Sequence, residues 1–461
     1  MVSAWRRRQW SKANAVPQGV VSSKRCKTLC LICDWYGMNR RQLLQKSVVL
    51  SAGTAFSSTP RLRAADGAND RVRVAVVGLG RGMGHVAALL NTKNVEIAYL
   101  CEVDESRLSK GLAMVQDKSG KAPKTATDFR KILEDKNVDA MSFALPNHWH
   151  APATILACNA GKHVYVEKPG SHNPREAELM VEAARKHDRR VQMGNQRRSY
   201  AMVREAMQRL EEGVIGKRTF ARSFYNNKRT AIGQGGQKPA AQVDLDLWQG
   251  PAPLRDDVSK YLHYDWHWLW HWGGGELANN GPHGLDLVRW GLGADYPVKV
   301  TCNGGRYHFD DTQETPDTII AGYDFGDSGA LWDGSSCHPR PQDKSPFVTI
   351  YGEGGSLVIG SRDDYTLYDL KGVEVETQKG TTSDVAHFQN FVDAIRIGSS
   401  LNSEIEEGQK STLLCHLGNI AWRTQSTVLF DAATKKISGD NEAAKALWSR
   451  SYREGWEPKV S

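Results

Sequence analysis

Val72-Arg73-Val74-Ala75-Val76-Val77-Gly78-Leu79-Gly80-Arg81-Gly82-Met83-Gly84-His85 is the stretch that decides the fold. Its first six residues, mostly branched and apolar, read as a buried strand, and four glycines then break it. A helix opens over His85–Leu90. Small residues at such a break let the backbone approach a pyrophosphate, with helix amides and the helix dipole facing its charge. Gly78 and Gly80 take the first two places of a dinucleotide fingerprint. The third place, residue 83, is Met, with Gly82 and Gly84 on either side. Gly78, Gly80, Arg81 and Gly82 are therefore the candidate cofactor turn. Glu102 lies twenty-two residues after Gly80, at the end of the next apolar run, Val95–Cys101. An acid there accepts the hydroxyls of the adenosine ribose and repels a 2′-phosphate, which favours NAD over NADP. Asp104 is a nearby substitute for the same role.

The alternation continues to about residue 192. A helical stretch over Glu105–Gln116 leads through a short helix near Ala126–Leu133 to a strand, Val138–Leu145. A helix over Ala151–Ala160, a strand at His163–Val166, a helix over Glu176–Lys186 and a last run, Val191-Gln192-Met193, follow. Apolar strands separated by amphipathic helices imply a doubly wound parallel sheet covered on both faces. After Gly194 the pattern changes. Strand-like runs at Gly216–Asn227, Val298–Asn303, Thr318–Phe325, Gly329–Ser335, Phe347–Tyr351 and Ser356–Ile359 are separated by Gly- and Asp-rich turns. They imply a second α+β domain with a large, open, mostly antiparallel sheet. Helices are expected at Gly281–Gly291, at Ala386–Ile397 and from about Glu406 to Leu429. The division expected is a leader, 1–66, a dinucleotide domain, 67–193, and a substrate and oligomerisation domain, 194–461.

The leader accounts for the charge. The 461 residues carry a formal +8. Residues 1–66 hold twelve Lys/Arg against two Asp/Glu, leaving 48 against 50 in residues 67–461. A near-neutral body gives no electrostatic footprint for nucleic acid. Arg40-Arg41 precede a small, apolar run, Ser47–Phe56, too short to span a membrane, and Arg61-Leu62-Arg63-Ala64-Ala65 suits processing. The pattern reads as a twin-arginine export signal from about Met38, with 1–37 an upstream extension, against the alternative of a disordered basic tail. Cys26, Cys30 and Cys33 in that segment lack a fourth ligand for a metal. Cys101 and Cys158 read as small buried hydrophobes.

Two further clusters carry chemistry. Leu145-Pro146-Asn147-His148-Trp149-His150 follows a strand, and carboxyl ends of parallel strands are where ligands bind in such sheets. Asn147 can offer an amide to the cofactor and Trp149 a flat surface to a substrate. For His148 and His150, site roles and helix capping or packing weigh equally, and two histidines alone make no metal site. His163-Val164-Tyr165-Val166 ends in Glu167-Lys168-Pro169, which places a lysine at another strand end.

Together GLGRGMGH, LPNHWHAP, GKHVYVEKP, VQMGNQRRS and GGGELANNGPHGLDLVRWGLG resemble the glucose–fructose oxidoreductase/inositol dehydrogenase/MocA (Gfo/Idh/MocA) family over residues 71–430, including its exported twin-arginine members. The resemblance implies an N-terminal Rossmann domain, a C-terminal domain whose open sheet forms homo-oligomers, and NAD(P)-dependent oxidation or reduction of sugars or polyols. It makes Lys168 a catalytic or substrate-positioning residue near the nicotinamide, with Glu167 holding it or contacting cofactor. His283 matches the family's acid–base histidine, and Asp286, one helical turn on, can orient it or meet substrate. The family often has Asp four residues before that histidine, but here the position is Asn279, whose amide binds a hydroxyl but cannot serve as a base. Gln196 and Arg197 are expected to reach cofactor and substrate. The aromatic stretch Tyr264–Trp272 suits either sugar faces or packing between domains or subunits. The reading is an exported NAD-dependent sugar oxidoreductase. An NAD-dependent glycoside hydrolase or lyase and a noncatalytic sugar-binding protein are the alternatives.

Overall fold

Strand β1 (Val72–Val77) is buried along nearly its whole length, as its branched apolar residues require. In this computed structural model, which describes residues 71–233 and 242–461, it lies at the centre of a six-stranded sheet. The expected leader, with its paired arginines and three cysteines, lies outside the described residues. Around β1 the chain adds α1 (Gly82–Leu89), β2 (Val95–Cys101), α2 (Glu105–Ser119), β3 (Lys124–Ala126), α3 (Arg130–Leu133), β4 (Ala140–Phe143), α4 (Asn147–Asn159), β5 (His163–Val166), α5 (Pro174–Lys186) and β6 (Val191–Met193). The order is β3-β2-β1-β4-β5-β6 and every pair is parallel. Strand order reverses between β1 and β4, so their carboxyl ends frame the crevice where such sheets bind ligands.

The second sheet has ten strands. The chain continues through α6 (Ala201–Glu211), β7 (Arg218–Asn226), α7 (Leu245–Gln249), α8 (Gly275–Asn279), α9 (Gly281–Leu292), β8 (Lys299–Gly305), β9 (Thr318–Asp324), β10 (Gly329–Ser335), β11 (Val348–Gly352), β12 (Gly355–Ile359), β13 (Asp364–Asp369), β14 (Glu374–Lys379), α10 (Val385–Ile397), α11 (Ile405–Thr424), β15 (Val428–Asp431), β16 (Lys436–Ser438) and α12 (Glu442–Ala446). The order is β14-β13-β12-β11-β7-β10-β9-β8-β15-β16, with β7 and β10 parallel. Its inner face packs on α6, α9 and α11 through a core that includes Trp332, Ile350, Leu285 and Leu417. Gly284 lets α9 approach β7, because a Cβ there would stand 2.1 Å from the Ser223 hydroxyl. On the outer face Phe220, Ile320, Tyr351 and Leu429 are exposed.

The structure adds strands β3 and β13–β16 and short helices α7, α8 and α12 that the sequence reading did not anticipate, and three further features depart from it. Helix α6 is an unforeseen element, although Val203, Ala206, Met207 and Leu210 form its buried face at helical spacing. Helix α11 stops at Thr424 rather than Leu429, where Gln425 turns left-handed (φ 50°) and the chain becomes β15. Helix α4 starts at Asn147, so Asn147-His148-Trp149-His150 form its first turn.

Elements late in the chain also complete the first core. Phe388, Phe391 and Val392 of α10 join Val74, Val76 and Tyr165. The Phe388 ring stacks on Tyr165 at 4.2 Å and is fully buried. Phe388→Ala is expected to cost about 3–5 kcal/mol, the usual range for a buried aromatic truncated to Ala. Urea unfolding of the variant measures this, and a change below about 1 kcal/mol would show that α10 is not part of that core.

Candidate functional site

The crevice at the strand ends is a cleft of about 740 Å³. Gly78, Gly80, Arg81, Glu102, Asn147, Trp149, Glu167, Lys168, Gln196, Asn279 and His283 all line it. Residues from both halves of the chain thus meet in one cavity. Gly82, Arg197 and Asp286 do not line it.

The glycine turn has the geometry a pyrophosphate needs. Gly78 is left-handed (φ 82°), and a Cβ there would lie 2.5 Å from the Ala144 carbonyl oxygen. Gly82 takes the packing role of a third glycine: a Cβ would touch Ala144 and Val76 at 3.5 Å, so it seats α1 against the sheet. Glu102 accepts hydrogen bonds from the backbone amides of Leu79 (2.6 Å), Val103 (2.8 Å) and Asp104 (3.2 Å). Burial pushes its carboxyl up, and those amides oppose the rise. Asp104, the substitute considered for this role, is committed elsewhere. It caps α2 through the Ser106 amide and pairs with His263 Nε2 at 3.1 Å. Arg107, which the glycine pattern gave no reason to single out, lines the cleft beside Gly80. The residues present therefore suit a dinucleotide: a turn without side chains, cationic Arg81 and Arg107, and an acid at the ribose position.

Glu167 sits at the hub of the site and is 3% exposed. Its Oε1 receives Arg81 Nε at 3.1 Å and Gln196 Nε2 at 3.0 Å, with His85 Nε2 at 3.1 Å; its Oε2 accepts the Lys168 amide at 3.1 Å. Burial disfavours the carboxylate, but the His85 hydrogen bond and the Arg81 charge hold it well below the usual range. Glu167 therefore organises the site, and Arg81 extends the network to Asp384 at the start of α10 (2.6 Å).

Lys168 projects from the cis Lys168–Pro169 turn. Its ammonium donates to the Asn279 backbone carbonyl at 2.6 Å and to its side-chain oxygen at 3.2 Å. Burial lowers its pKa, and Glu167 opposes that. Burial, then the charges of Lys168 and Arg197, hold the His283 imidazole well below its ordinary value. A neutral ring can accept a proton.

Four expectations change. Asp286 does not orient His283, whose Nδ1 is buried without a partner. Instead Asp286 is gripped by Arg198 Nε (2.8 Å) and the Ser411 hydroxyl (2.7 Å), facing the core. Arg197 is spent on the Ser361 and Arg362 carbonyls (2.7 and 3.2 Å) over the Phe347 ring, where it fastens a loop of the second sheet. Trp149 is wall rather than platform: it is 4% exposed, its indole N–H donates to the Trp248 carbonyl at 3.0 Å, and its ring meets Phe129 edge-on. His148 and His150 follow the packing alternative, bonding the Trp248 carbonyl and the Leu145 and Pro169 carbonyls respectively.

The aromatic stretch forms a roof. Residues after β7 return to the first domain, where Val103 and Asp104 bond to the backbone near Val243. Trp248, Tyr261, Trp266, Trp268 and Trp272 make a separate core there, while His263, Tyr264, Trp266 and His267 face the cleft. Packing thus accounts for the buried residues of that stretch, and the others line the cleft.

Residues 72–195 match the Gfo/Idh/MocA oxidoreductase family with its NAD-binding Rossmann fold, and residues 210–458 match that family's C-terminal alpha/beta domain. The chain belongs to the Gfo/Idh/MocA family. A Glycosyl hydrolase family 109 protein of Stenotrophomonas maltophilia is 30% identical over 139 residues, covering 29% of this chain and 30% of that protein. An inositol 2-dehydrogenase of Salmonella paratyphi B is 28% identical over 162 residues, covering 34% and 47%. The matched stretches thus span less than half the length of these relatives. The aldose-aldose oxidoreductase of Caulobacter crescentus shares the fold, with a TM-score of 0.61 at 19% identity over 78% of this chain and 100% of that one.

Gly78→Ala is expected to weaken NAD binding by more than about tenfold (roughly 1.4 kcal/mol), since an added Cβ 2.5 Å from the Ala144 carbonyl oxygen would force the turn to shift. Gly161→Ala, also left-handed but with nothing within 4 Å of the added carbon, should leave affinity unchanged. Calorimetric titration of both variants checks the pair; equal affinities would place the dinucleotide elsewhere.

Proposed function

We propose that this protein is an NAD-dependent oxidoreductase that transfers hydride between the nicotinamide and a CH–OH carbon of a sugar or sugar derivative. One observation carries the reading: Lys168, Asn279 and a neutral His283, drawn from both halves of the chain, share a single cleft with the glycine turn and Glu102. When bound, the nicotinamide supplies the hydride acceptor or donor. Neutral His283 takes the hydroxyl proton during oxidation and returns it during reduction. Lys168 donates a hydrogen bond to the same oxygen and stabilises the charge that develops there. The Asn279 amide binds a neighbouring hydroxyl. Glu102 at the ribose position supports NAD over NADP.

The aromatic roof gives a specific reason to carry a second reading. The segment that leads into it is tied to the first domain by the Asp244 amide, which donates to the Val103 carbonyl, and the Glu105 amide, which donates to the Gln242 carbonyl, beside Glu102. An enclosed cofactor suits a closed cycle, in which a sugar carbon is oxidised, a glycosidic bond is eliminated and the carbon is reduced again. The kinship with glycosyl hydrolase family 109 proteins supports that version.

We also assign the chain to the cell envelope, carried there by the twin-arginine leader, and assign the apolar outer face of the ten-stranded sheet to contact with a second copy. A mature N-terminus close to residue 66 in the envelope fraction, together with an assembly of at least two chains in sedimentation velocity, is the expected result. An uncleaved monomer in the cytoplasm would overturn both assignments.

With a panel of sugars and glycosides, Lys168→Ala and His283→Ala should each lower turnover by about 10²–10⁴-fold, the usual range for a positioned proton donor or acceptor. NADH accumulation marks the dehydrogenase, and bond cleavage without NADH marks the closed cycle. Variants as active as the parent on every substrate that turns over would defeat both readings.

A further inference from the structure

Glu276 is an acid to which the reading above gives no task. It lies on α8, three residues before Asn279, and is 1% exposed. Its Oε1 accepts a hydrogen bond from the Asn280 side-chain amide, while its Oε2 is buried with no hydrogen-bond partner. Leaving a buried carboxylate oxygen bare costs more than leaving a neutral group so, unless a charge lies near.

The charged and titratable groups facing it come from four places. Lys168 approaches from the turn after β5, Arg229 from the segment after β7, Tyr225 from β7 and Tyr264 from the aromatic roof. Arg229 is already paired with Asp311 at 3.0 Å. Lys168 has no such ion pair among the described residues: its ammonium is held by Asn279, a neutral ligand, while Glu167 and then Glu276 are the acids whose charges act on it. A buried cation whose hydrogen-bond partners are neutral and a buried acid with a bare oxygen thus lie within each other's field.

We propose that Glu276 is a positioning residue for Lys168, supplying from one helical turn upstream the negative charge that Asn279 does not carry. Residues three apart on a helix tend to share a face, and the charges of Glu276 and Lys168 act on one another. An ionised Glu276 keeps the Lys168 ammonium charged and aimed; a neutral Glu276 releases it. Burial pushes the Glu276 carboxyl up to about 7, opposed by Asn280, Lys168 and Arg229, so this control operates near neutral pH. Interacting groups of this kind titrate as a pair rather than singly.

The proposal rests on Lys168 being a site residue, but its test needs neither substrate nor turnover, so it can fail while the oxidoreductase reading stands. The rate at which acetic anhydride acetylates Lys168 is followed against pH by peptide mass spectrometry on the full chain, with exposed Lys371 as internal reference. In the parent protein the Lys168 curve should show a shoulder near pH 7, where Glu276 ionises and restrains the amine. In Glu276→Gln the shoulder should vanish and the midpoint should fall by about one unit, a roughly tenfold faster reaction between about pH 7 and the midpoint. Asn279→Asp in the Gln background should restore most of that shift. A parent curve with one inflection, or a Gln variant whose Lys168 midpoint matches the parent, overturns the proposal. The parent curve decides even if the Gln variant does not fold.

Discussion

The buried carboxylate of Glu167 is the constraint on which the rest of the site depends. A charge this far from water is tolerable only with several donors around it, and the donors come from three parts of the chain. Arg81 and His85 belong to the glycine turn and α1, Gln196 to the segment after β6, and the Lys168 amide to its own turn. Satisfying one carboxylate therefore fixes the glycine turn against the Lys168 turn. Arg81 carries the same network to Asp384, so α10, from the second half of the chain, is tied to the first. Replacing Glu167 would leave an arginine and a histidine facing each other across a buried gap.

The second constraint is the closeness of α9 to the ten-stranded sheet. Without a side chain at Gly284 the helix can sit on β7, and His283, next to it, reaches the cleft. The cost is that Asp286 then points the other way, into Arg198 and Ser411. This leaves His283 without the carboxylate partner that helical spacing suggested. Its neutrality comes instead from burial and the nearby cations.

Much of this was legible in the sequence, for physical reasons. Val72–Val77 followed by Gly78 and Gly80 can be little other than a buried strand entering a phosphate-type turn, and Glu102 follows at ribose spacing. The parallel and antiparallel sheets were separable because their hydrophobic patterns differ: continuous runs before Gly194 and alternation after it. What failed was orientation. Spacing of three predicts a shared helix face for His283 and Asp286, but not which neighbours compete for each side chain. Arg197 and Trp149 stand next to site residues in sequence, yet backbone carbonyls of Ser361, Arg362 and Trp248 claim them. Helix α6 carries the buried spacing of Val203, Ala206, Met207 and Leu210, but Tyr200 at its start supplies no side-chain cap to mark it. Glu276 left no signal at all, since its importance lies in burial and in a missing partner.

The central claim is that one cleft holds a nicotinamide dinucleotide against Lys168 and His283. Its most direct test is to denature the purified protein, identify any dinucleotide released by mass spectrometry, and titrate the emptied, refolded chain with NAD and NADP. The account predicts NAD or NADH, released or rebound at about one per chain, with weaker binding of NADP. A protein that releases no dinucleotide and binds neither form when supplied would contradict it.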